Sequence, residues 1–177
     1  MKKYELTAEF IEKWGKKLFR IKALISFGSV EAGELGGYVE KEDNLAQTGD
    51  AWVYGDARVY GNARVYGNAR VCGDAWVCGN ARVCGDARVC GDADYLLIGR
   101  IGSRFGFTTF FKNKEKGITV SCGCFLGTIA EFRAKVTDTH GDNKHAKMYN
   151  MAADMAELQI LGEEHFDKLN TNKSEPF

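Results

Sequence analysis

The stretch "GDARVYGNARVYGNARVCGDAWVCGNARVC", residues 55–84, repeats one six-residue phrase with few changes. The phrase reads Gly-[Asp/Asn]-Ala-[Arg/Trp]-Val-[Tyr/Cys], and its register holds without a slip from Gly49 to Gly91. A fixed period of this kind is typical of a repeat architecture, and it takes precedence over local propensities. The repeat therefore decides the fold.

The order of residues within the phrase predicts a solenoid of short strands. Alanine and valine are two positions apart, so both side chains point to the same face of an extended segment. The Gly-Asp or Gly-Asn pair supplies a turn, because these residue types tolerate left-handed backbone conformations. Short strands that alternate with turns predict stacked coils with alanine and valine inside.

The six-residue unit resembles the hexapeptide motif of left-handed parallel β-helices, in which three units complete one triangular coil. That resemblance implies that residues eighteen apart stack at the usual strand spacing of about 4.8 Å. The predicted columns are Tyr54–Cys72–Cys90, Tyr60–Cys78, Tyr66–Cys84 and Trp52–Arg70–Arg88. Upstream, "GGYVEKEDNLAQT" continues the repeat in degraded form, with Val39 and Leu45 expected at the alanine position.

The fold class that we predict is mainly β. A left-handed parallel β-helix spans residues 37–95, after a β-rich N-terminal cap at residues 1–36, in which "TAEFIEKW" is also compatible with a short helix. Residues 96–177 form a small α+β domain with a frayed tail. Its three strands are "YLLIG", "FTTFF" and "ITVSC". A capping box at Thr128–Glu131 begins a helix that ends at Gly141, and a second helix runs from about Asn143 to Leu161.

Composition excludes several classes of function. Lys+Arg and Asp+Glu are equal at 24 each, which argues against duplex nucleic acid as a partner, because phosphate binding needs excess positive charge. No apolar run approaches the roughly 20 residues of a membrane span, and "MKKYELTAEF" lacks the apolar region of a signal peptide. We therefore expect a cytoplasmic protein with no membrane contact, whose six cysteines are reduced.

The repeat predicts an interface more readily than a chemical site. Zinc ligands come as close cysteine pairs, whereas Cys72, Cys78, Cys84 and Cys90 are six residues apart, so we predict no metal and no cofactor. By alternation the aromatic positions of the repeat point outward and form an interaction surface. These interface residues are Trp52, Tyr54, Tyr60, Tyr66 and Trp76. Self-association, with a trimer favoured, is preferred over a foreign protein partner.

Many left-handed hexapeptide proteins are acyltransferases that use a histidine on or beside the coils. Here His140, His145 and His165 all lie outside the repeat, so an enzyme of this class is the third-ranked interpretation. "SCGCFLGT" places Cys122 and Cys124 on one face of a strand, and a thiolate nucleophile there would need a histidine such as His140. Burial as small apolar side chains is the preferred interpretation, and we predict no catalytic residues.

The phrase "IGSRFGFTT" predicts a site for a small anionic ligand. Ser103 and Arg104 offer a hydroxyl, a guanidinium and nearby backbone amides, and Thr108 and Thr109 add hydroxyls. This combination suits phosphate or carboxylate groups, because arginine forms bidentate bonds with them and exposed amides form an anion-binding nest. The alternative is an ordinary Gly-Ser turn with a solvated arginine.

The chain as a whole resembles a family of uncharacterised phage and prophage proteins. The resemblance rests on "LFRIKALISFG", "GELGGYVEKEDNLAQTGDAWVYGDARVYG", "IGSRFGFTTFF", "ITVSCGCFLGTIAEFRAKV" and "THGDNKHAK". It implies the solenoid, the β-rich cap and a setting in an infected bacterial host, where small accessory proteins counter antiviral defence.

We therefore expect a non-enzymatic, oligomeric phage protein that sequesters a nucleotide immune signal. The alternative is an inhibitor that binds a host defence complex through the aromatic face of the solenoid.

Overall fold

The computed structural model describes residues 1–171, and the chain divides into two compact units after Asp92. The first unit begins with strands β1 (Tyr4–Lys13) and β2 (Lys16–Ala23), which form an antiparallel hairpin. Strand β3 (Leu35–Val39) pairs antiparallel with β2. The segment "TAEFIEKW" is therefore not a helix: all of it except Trp14 lies in β1, and Phe10 to Lys13 pair with β2.

The repeat forms short strands that stack in parallel. Neighbouring strands of the repeat within one sheet are eighteen residues apart, as in Val53 with Val71, Arg58 with Trp76 and Val65 with Val83. The strands of the repeat are β4 (Trp52–Val53), β5 (Arg58–Val59), β6 (Arg64–Val65), β7 (Arg70–Val71), β8 (Trp76–Val77), β9 (Arg82–Val83) and β10 (Arg88–Val89). The sheets of this unit have the orders β1-β2-β3-β5-β8, β4-β7-β10 and β6-β9. The predicted stacking of residues eighteen apart is confirmed, and the fold is mainly β with a solenoid.

Alanine and valine fill the solenoid and glycine shapes its corners. The repeat valines and alanines from Ala51 to Val89 are fully buried. Gly49 has a φ of 71°, and a Cβ there would lie 2.8 Å from the carbonyl oxygen of Gly67 in the next coil. The corner side chains form ladders, since the Nδ2 of Asn62 donates to the Oδ1 of Asn80 at 3.4 Å. Both the left-handed turn and the close approach of the coils therefore require glycine.

The first coil corrects the predicted phase of the degraded repeat. Val39 pairs with Val59 and Leu45 bridges to Val65, so both occupy the valine position and not the alanine position. Their partners are twenty residues away because a short 3-10 turn, Glu42–Asn44, adds residues to this coil. The Nδ2 of Asn44 donates to the carbonyl oxygen of Ala63 at 2.8 Å, which joins the turn to the next coil.

The N-terminal hairpin covers Trp52, which was predicted to point outward. Trp52 is fully buried, with its ring centre 6.3 Å from that of Tyr4 and 5.4 Å from that of Phe27. The Tyr4 hydroxyl lies 2.8 Å from the carbonyl oxygen of Leu45, and burial raises the pKa of this phenol well above its usual range. Trp52 is buried because β4 is the end strand of its sheet and these N-terminal residues pack over it.

Lys3 is a buried cation at the same end of the solenoid. Its Nζ donates to the carbonyl oxygens of Gly49 at 3.2 Å and Ala51 at 2.9 Å, and it lies 4.8 Å from the centre of the Phe27 ring. Burial lowers the pKa of the Lys3 amine from its ordinary 10.5 to about 8, although the charge of Asp50 acts in the opposite direction. The folded protein therefore releases this proton at a lower pH than the unfolded chain does.

This difference predicts a pH dependence of stability. Between pH 8 and 10.5 the unfolded chain retains a proton on Lys3 that the folded protein has released, so stability from this group rises with pH across that window. We expect the free energy of unfolding of the wild type, relative to Lys3→Met, to increase from about pH 8 to about pH 10. Urea unfolding of both proteins across this range measures it. A constant or falling difference would contradict the assigned environment of Lys3.

The second unit packs helices against one face of an antiparallel sheet. Strands β11 (Tyr95–Ile101), β12 (Gly106–Lys112), β13 (Ile118–Cys122) and β14 (Phe125–Thr128) lie side by side in that order. Helices α1 (Ile129–His140), α2 (Lys144–Leu161) and α3 (Glu163–Thr171) follow. Three strands and two helices were predicted. The fourth strand forms because "FLGT" folds back and pairs with β13. The third helix, α3, occupies the beginning of the predicted frayed tail, and residues 172–177 of that tail lie outside the described residues.

The helix ends agree with the predicted signals. The Oγ1 of Thr128 accepts from the backbone N–H of Glu131, whose carboxylate in turn accepts from the N–H of Thr128 at 2.8 Å. Gly141 ends α1 with a φ of 59°, and the Asn143 side chain caps α2. The core between sheet and helices contains Phe110, Val120, Phe132, Val136, Tyr149, Ala153, Ala156 and Ile160. Within residues 1–171, no helix combines the length and apolarity that crossing a membrane requires.

Candidate functional site

A pocket of about 110 Å³ opens in the second unit, where β13 and β14 meet α1 and α2. Its inner wall is aromatic: the Phe132 ring centre lies 5.6 Å from those of Phe125 and Tyr149. His140 stacks on Tyr149 at 5.8 Å with an interplanar angle of 27°. The lining residues are Cys122, Phe125, Phe132, Lys135, Val136, Thr139, His140 and Tyr149. We call these residues the aromatic pocket.

Tyr149 joins the aromatic pocket to the β11–β12 turn. A Cβ at Gly102 would collide with the Tyr149 hydroxyl, so only glycine lets the turn lie on this ring. Burial raises the pKa of the Tyr149 phenol to about 12, and the neighbouring Cys122 side chain adds to the increase. The positive charge of Arg104, which lies in the same turn, acts in the opposite direction.

One cation, Lys135, lines the aromatic pocket, and a second, Arg104, lies in the turn that packs on Tyr149. Arg104 lies in the exposed turn between β11 and β12, and Lys135 lies on the exposed side of α1. The Lys135 amine is 3.0 Å from the carboxylate of Asp138. Both groups of this ion pair are well exposed, and pairs of this kind contribute little, so a ligand anion can compete for the amine. The geometry suits a flat ring in the pocket and an acidic group at its opening.

The structure separates the four predicted ligand residues. Ser103 and Arg104 are exposed in the turn. Thr108 is buried, and its Oγ1 donates to the Sγ of Cys122 at 3.1 Å. Thr108 therefore contacts a lining residue of the pocket and does not line the pocket itself. Thr109 is also buried and points to the opposite face of β12, because side chains alternate along a strand. Neither threonine presents its hydroxyl to solvent, so only Ser103 and Arg104 stay in the candidate site.

The predicted grouping of Cys122, Cys124 and His140 holds in part. Cys122 and His140 both line the aromatic pocket. Cys124 is exposed and lies beyond the end of β13, in the turn to β14, because Gly123 reverses the chain with a φ of 60°. The two cysteines therefore do not share the face of one strand.

Most residues of the aromatic pocket were not identified from the sequence. Lys135, Thr139 and His140 come from one face of α1, together with Phe132 and Val136. Their spacing of three and four residues is the signal that places them on a common helical face. This spacing predicts a core-facing helix, whereas the pocket also depends on the positions of β14 and α2 beside α1.

The five residues of the predicted aromatic interface do not form one surface on the solenoid. Trp52 is buried, and Tyr54 and Tyr66 follow strands of different sheets, so they do not share a surface with Tyr60. Tyr60 and Trp76 meet at a residue that the sequence did not indicate: Trp14, in the β1–β2 turn. The Trp14 ring centre lies 4.5 Å from that of Trp76 and 5.5 Å from that of Tyr60, and Trp14 is 57% exposed. We call Trp14, Tyr60 and Trp76 the tryptophan cluster.

The stacked cysteines give one finding that the sequence did not predict. Cys72 and Cys90 lie one coil apart with Cα atoms separated by 4.3 Å, and the structure joins them in a disulfide. All six cysteines were expected to be reduced. Residues eighteen apart stack directly, so this column brings two thiols together, whereas Cys78 and Cys84 stack on tyrosines.

A second depression lies on the first unit, with a volume of about 250 Å³. Lys41, Asp43, Asn62 and Arg64 contribute its polar lining, beside Ala63. It combines two cations with a carboxylate and contains no aromatic ring. Its lining therefore suits a ring-bearing ligand less well than the aromatic pocket does.

Comparison with known proteins supports the solenoid. The family model described as the YdcK β-solenoid repeat matches residues 51–65 and 63–79. The matched segment contains strands β4 to β8, so this part of the chain is similar to that repeat. No curated protein matches the chain.

Proposed function

We propose that the protein binds a small anionic ligand with a flat ring, a nucleotide by class, in the aromatic pocket of the second unit. The observation that carries this proposal is that stacked aromatic side chains and the Lys135 amine line one pocket, while Arg104 lies in the turn that packs on Tyr149. Aromatic side chains bind nucleobases by stacking without any requirement for one base. Lysine and arginine bind phosphate through charge-assisted hydrogen bonds.

The dimensions of the pocket restrict how such a ligand binds. Small-molecule sites commonly enclose about 300–1,000 Å³, whereas the aromatic pocket encloses about 110 Å³. The pocket therefore accepts a ring and leaves the charged part of the ligand at the surface. There the acidic group can contact the exposed amine of Lys135.

Titration calorimetry with a panel of linear and cyclic nucleotides tests this proposal. We expect Arg104→Ala and Lys135→Ala each to weaken binding about tenfold or more, because a hydrogen bond to a charged group contributes about 1.5–3 kcal/mol. Arg64→Ala, which removes a cation from the other depression, is the matched control and should leave affinity unchanged. Binding that is insensitive to Arg104 and Lys135, or no binding by any nucleotide, contradicts the proposal.

The wider role that we propose is sequestration. In this role the chain is a non-enzymatic, oligomeric accessory protein of a phage, which holds a nucleotide signal of the host antiviral defence. The phage setting rests on the family resemblance, and the lack of catalysis rests on the absence of a recognisable catalytic set in the sequence. Mass spectrometry of the ligand after incubation should recover it unchanged, and a cleaved or transferred product would show that the protein is an enzyme.

The tryptophan cluster supports a second candidate function, inhibition of a host defence complex by protein contact. Trp14 is largely exposed, and the Arg58 guanidinium lies 5.3 Å from the Trp76 ring centre. Tryptophan, tyrosine and arginine are the residues most enriched at the energetic centres of interfaces. In this case Trp14→Ala should abolish inhibition of the host complex, while Arg104→Ala should leave it intact.

We also propose that the solenoid is a left-handed parallel β-helix. The support is the eighteen-residue stacking, the six-residue faces and the resemblance of the repeat to the hexapeptide motif. An experimental structure at a resolution that shows the hand of the coil decides this point.

A further inference from the structure

Helix α2 carries an exposed apolar stripe on the side opposite to its core face. Its core face is formed by Ala146, Tyr149, Ala153, Ala156 and Ile160. The stripe consists of Met148, Met151, Met155 and Leu158, which are 39%, 65%, 56% and 46% exposed. Scattered apolar residues on a surface are normal, whereas a contiguous apolar row usually marks an interaction site.

The spacing of the stripe is that of a helix-pairing seam. Its members follow one another at intervals of three, four and three residues. Alternating intervals of three and four residues are those of a heptad repeat. Its period of 3.5 residues keeps the apolar side chains of two paired helices in contact along their length. Methionine is flexible and fits irregular apolar partners well. The stripe is therefore suited to a second helix rather than to a small molecule.

Charged residues flank the stripe with opposite signs at its two ends. Lys144 and Lys147 are exposed at the N-terminal end of α2. Glu163 and Glu164 are exposed just beyond its C-terminal end. A second copy of this helix in antiparallel orientation brings the lysines of one chain to the glutamates of the other at both ends, and it also opposes the two helix dipoles. A parallel arrangement would bring like charges together.

We infer that α2 is a self-association surface, on which a second copy of the chain docks antiparallel about a two-fold axis level with Ala153. In this arrangement Met151 of each copy faces Met155 of the other, and Met148 faces Leu158. The contact is isologous, so each copy contributes the same residues and the assembly closes as a dimer. This surface belongs to the second unit, whereas the predicted trimer involves the aromatic face of the solenoid.

Sedimentation equilibrium of the full chain tests the inference. The wild type should have a mass of twice 19.6 kDa, and Met151→Glu with Met155→Glu should have the monomer mass of 19.6 kDa. Leu126→Glu replaces another apolar residue of the second unit that is 52% exposed, so it is the matched control and should remain dimeric. Circular dichroism shows whether each variant retains its helices.

Charge reversal tests the orientation separately. Lys144→Glu with Lys147→Glu should raise the dimer dissociation constant about tenfold or more, since juxtaposed like charges oppose association. Adding Glu163→Lys and Glu164→Lys to the same chain should restore most of the affinity. A wild-type monomer, an oligomer that is insensitive to the Met151 and Met155 changes, or a failure of the second pair to restore affinity would overturn the antiparallel dimer.

Discussion

Trp52→Ala is expected to lower the free energy of unfolding by about 3–5 kcal/mol, the usual cost of removing a large aromatic side chain from a core. Trp52 is fully buried between the rings of Tyr4 and Phe27. The change leaves a cavity where the N-terminal residues pack over the end strand of a solenoid sheet. Total stabilities of about 5–15 kcal/mol are usual, so a loss of this size is a large fraction of the whole.

Guanidinium unfolding followed by tryptophan fluorescence measures this effect, because Trp14 and Trp76 remain as reporters in the same unit. Tyr54→Ala is the matched control: Tyr54 is an exposed aromatic residue two positions along the chain, and its loss should cost well under about 1 kcal/mol. Equal effects of the two changes would mean that Trp52 lies on the surface, as the alternation of the repeat predicted.

Arg133→Met is expected to lower stability by about 3 kcal/mol, because breaking a buried ion pair from one side leaves the other charge uncompensated. The Arg133 Nη2 lies 2.6 Å from the Glu157 Oε2 and 2.7 Å from the Asp154 Oδ1. The Glu157 side chain is only 8% exposed, whereas Asp154 is 41% exposed. Glu157 is therefore the partner that suffers from the loss.

A double-mutant cycle with Glu157→Leu distinguishes this mechanism from lost packing. The double variant should recover most of the stability, since removing both charges of a buried pair costs far less than removing one. Far-UV circular dichroism is the appropriate signal, because every α-helix within residues 1–171 belongs to the second unit. If the double variant is less stable than Arg133→Met alone, the ion pair is not the source of the effect.

The solenoid was predictable from the sequence because its period is a property of the chain alone. Each Gly-Asp or Gly-Asn pair favours a turn, and each alanine and valine favours the inner face of its strand. Both preferences are local, so the stacking of the coils can be predicted without knowing the contacts of distant residues. The prediction was wrong where this regularity ends. Val39 and Leu45 occupy the valine position because a short 3-10 turn lengthens the first coil, and Trp52 is covered by the N-terminal residues.

The candidate sites were less predictable because their residues converge from distant segments. Ser103 and Arg104 could be proposed from adjacent letters, and their turn does lie on Tyr149. The aromatic pocket, however, combines strand residues with residues of two helices, and the packing of those elements sets the distances. Trp14 is a similar case, because a turn in the first hairpin brings it to a repeat residue more than sixty positions later.

The eighteen-residue register has a consequence for how the length of such a chain changes over generations. Duplicating or deleting three repeats returns each later valine to its own sheet and each corner residue to its own ladder, as the pairing of Val53 with Val71, and of Val71 with Val89, shows. Duplicating or deleting one repeat moves each later residue to the next face. The solenoid can therefore gain or lose repeats only in multiples of three if its columns, including Cys72 with Cys90, are to be inherited intact.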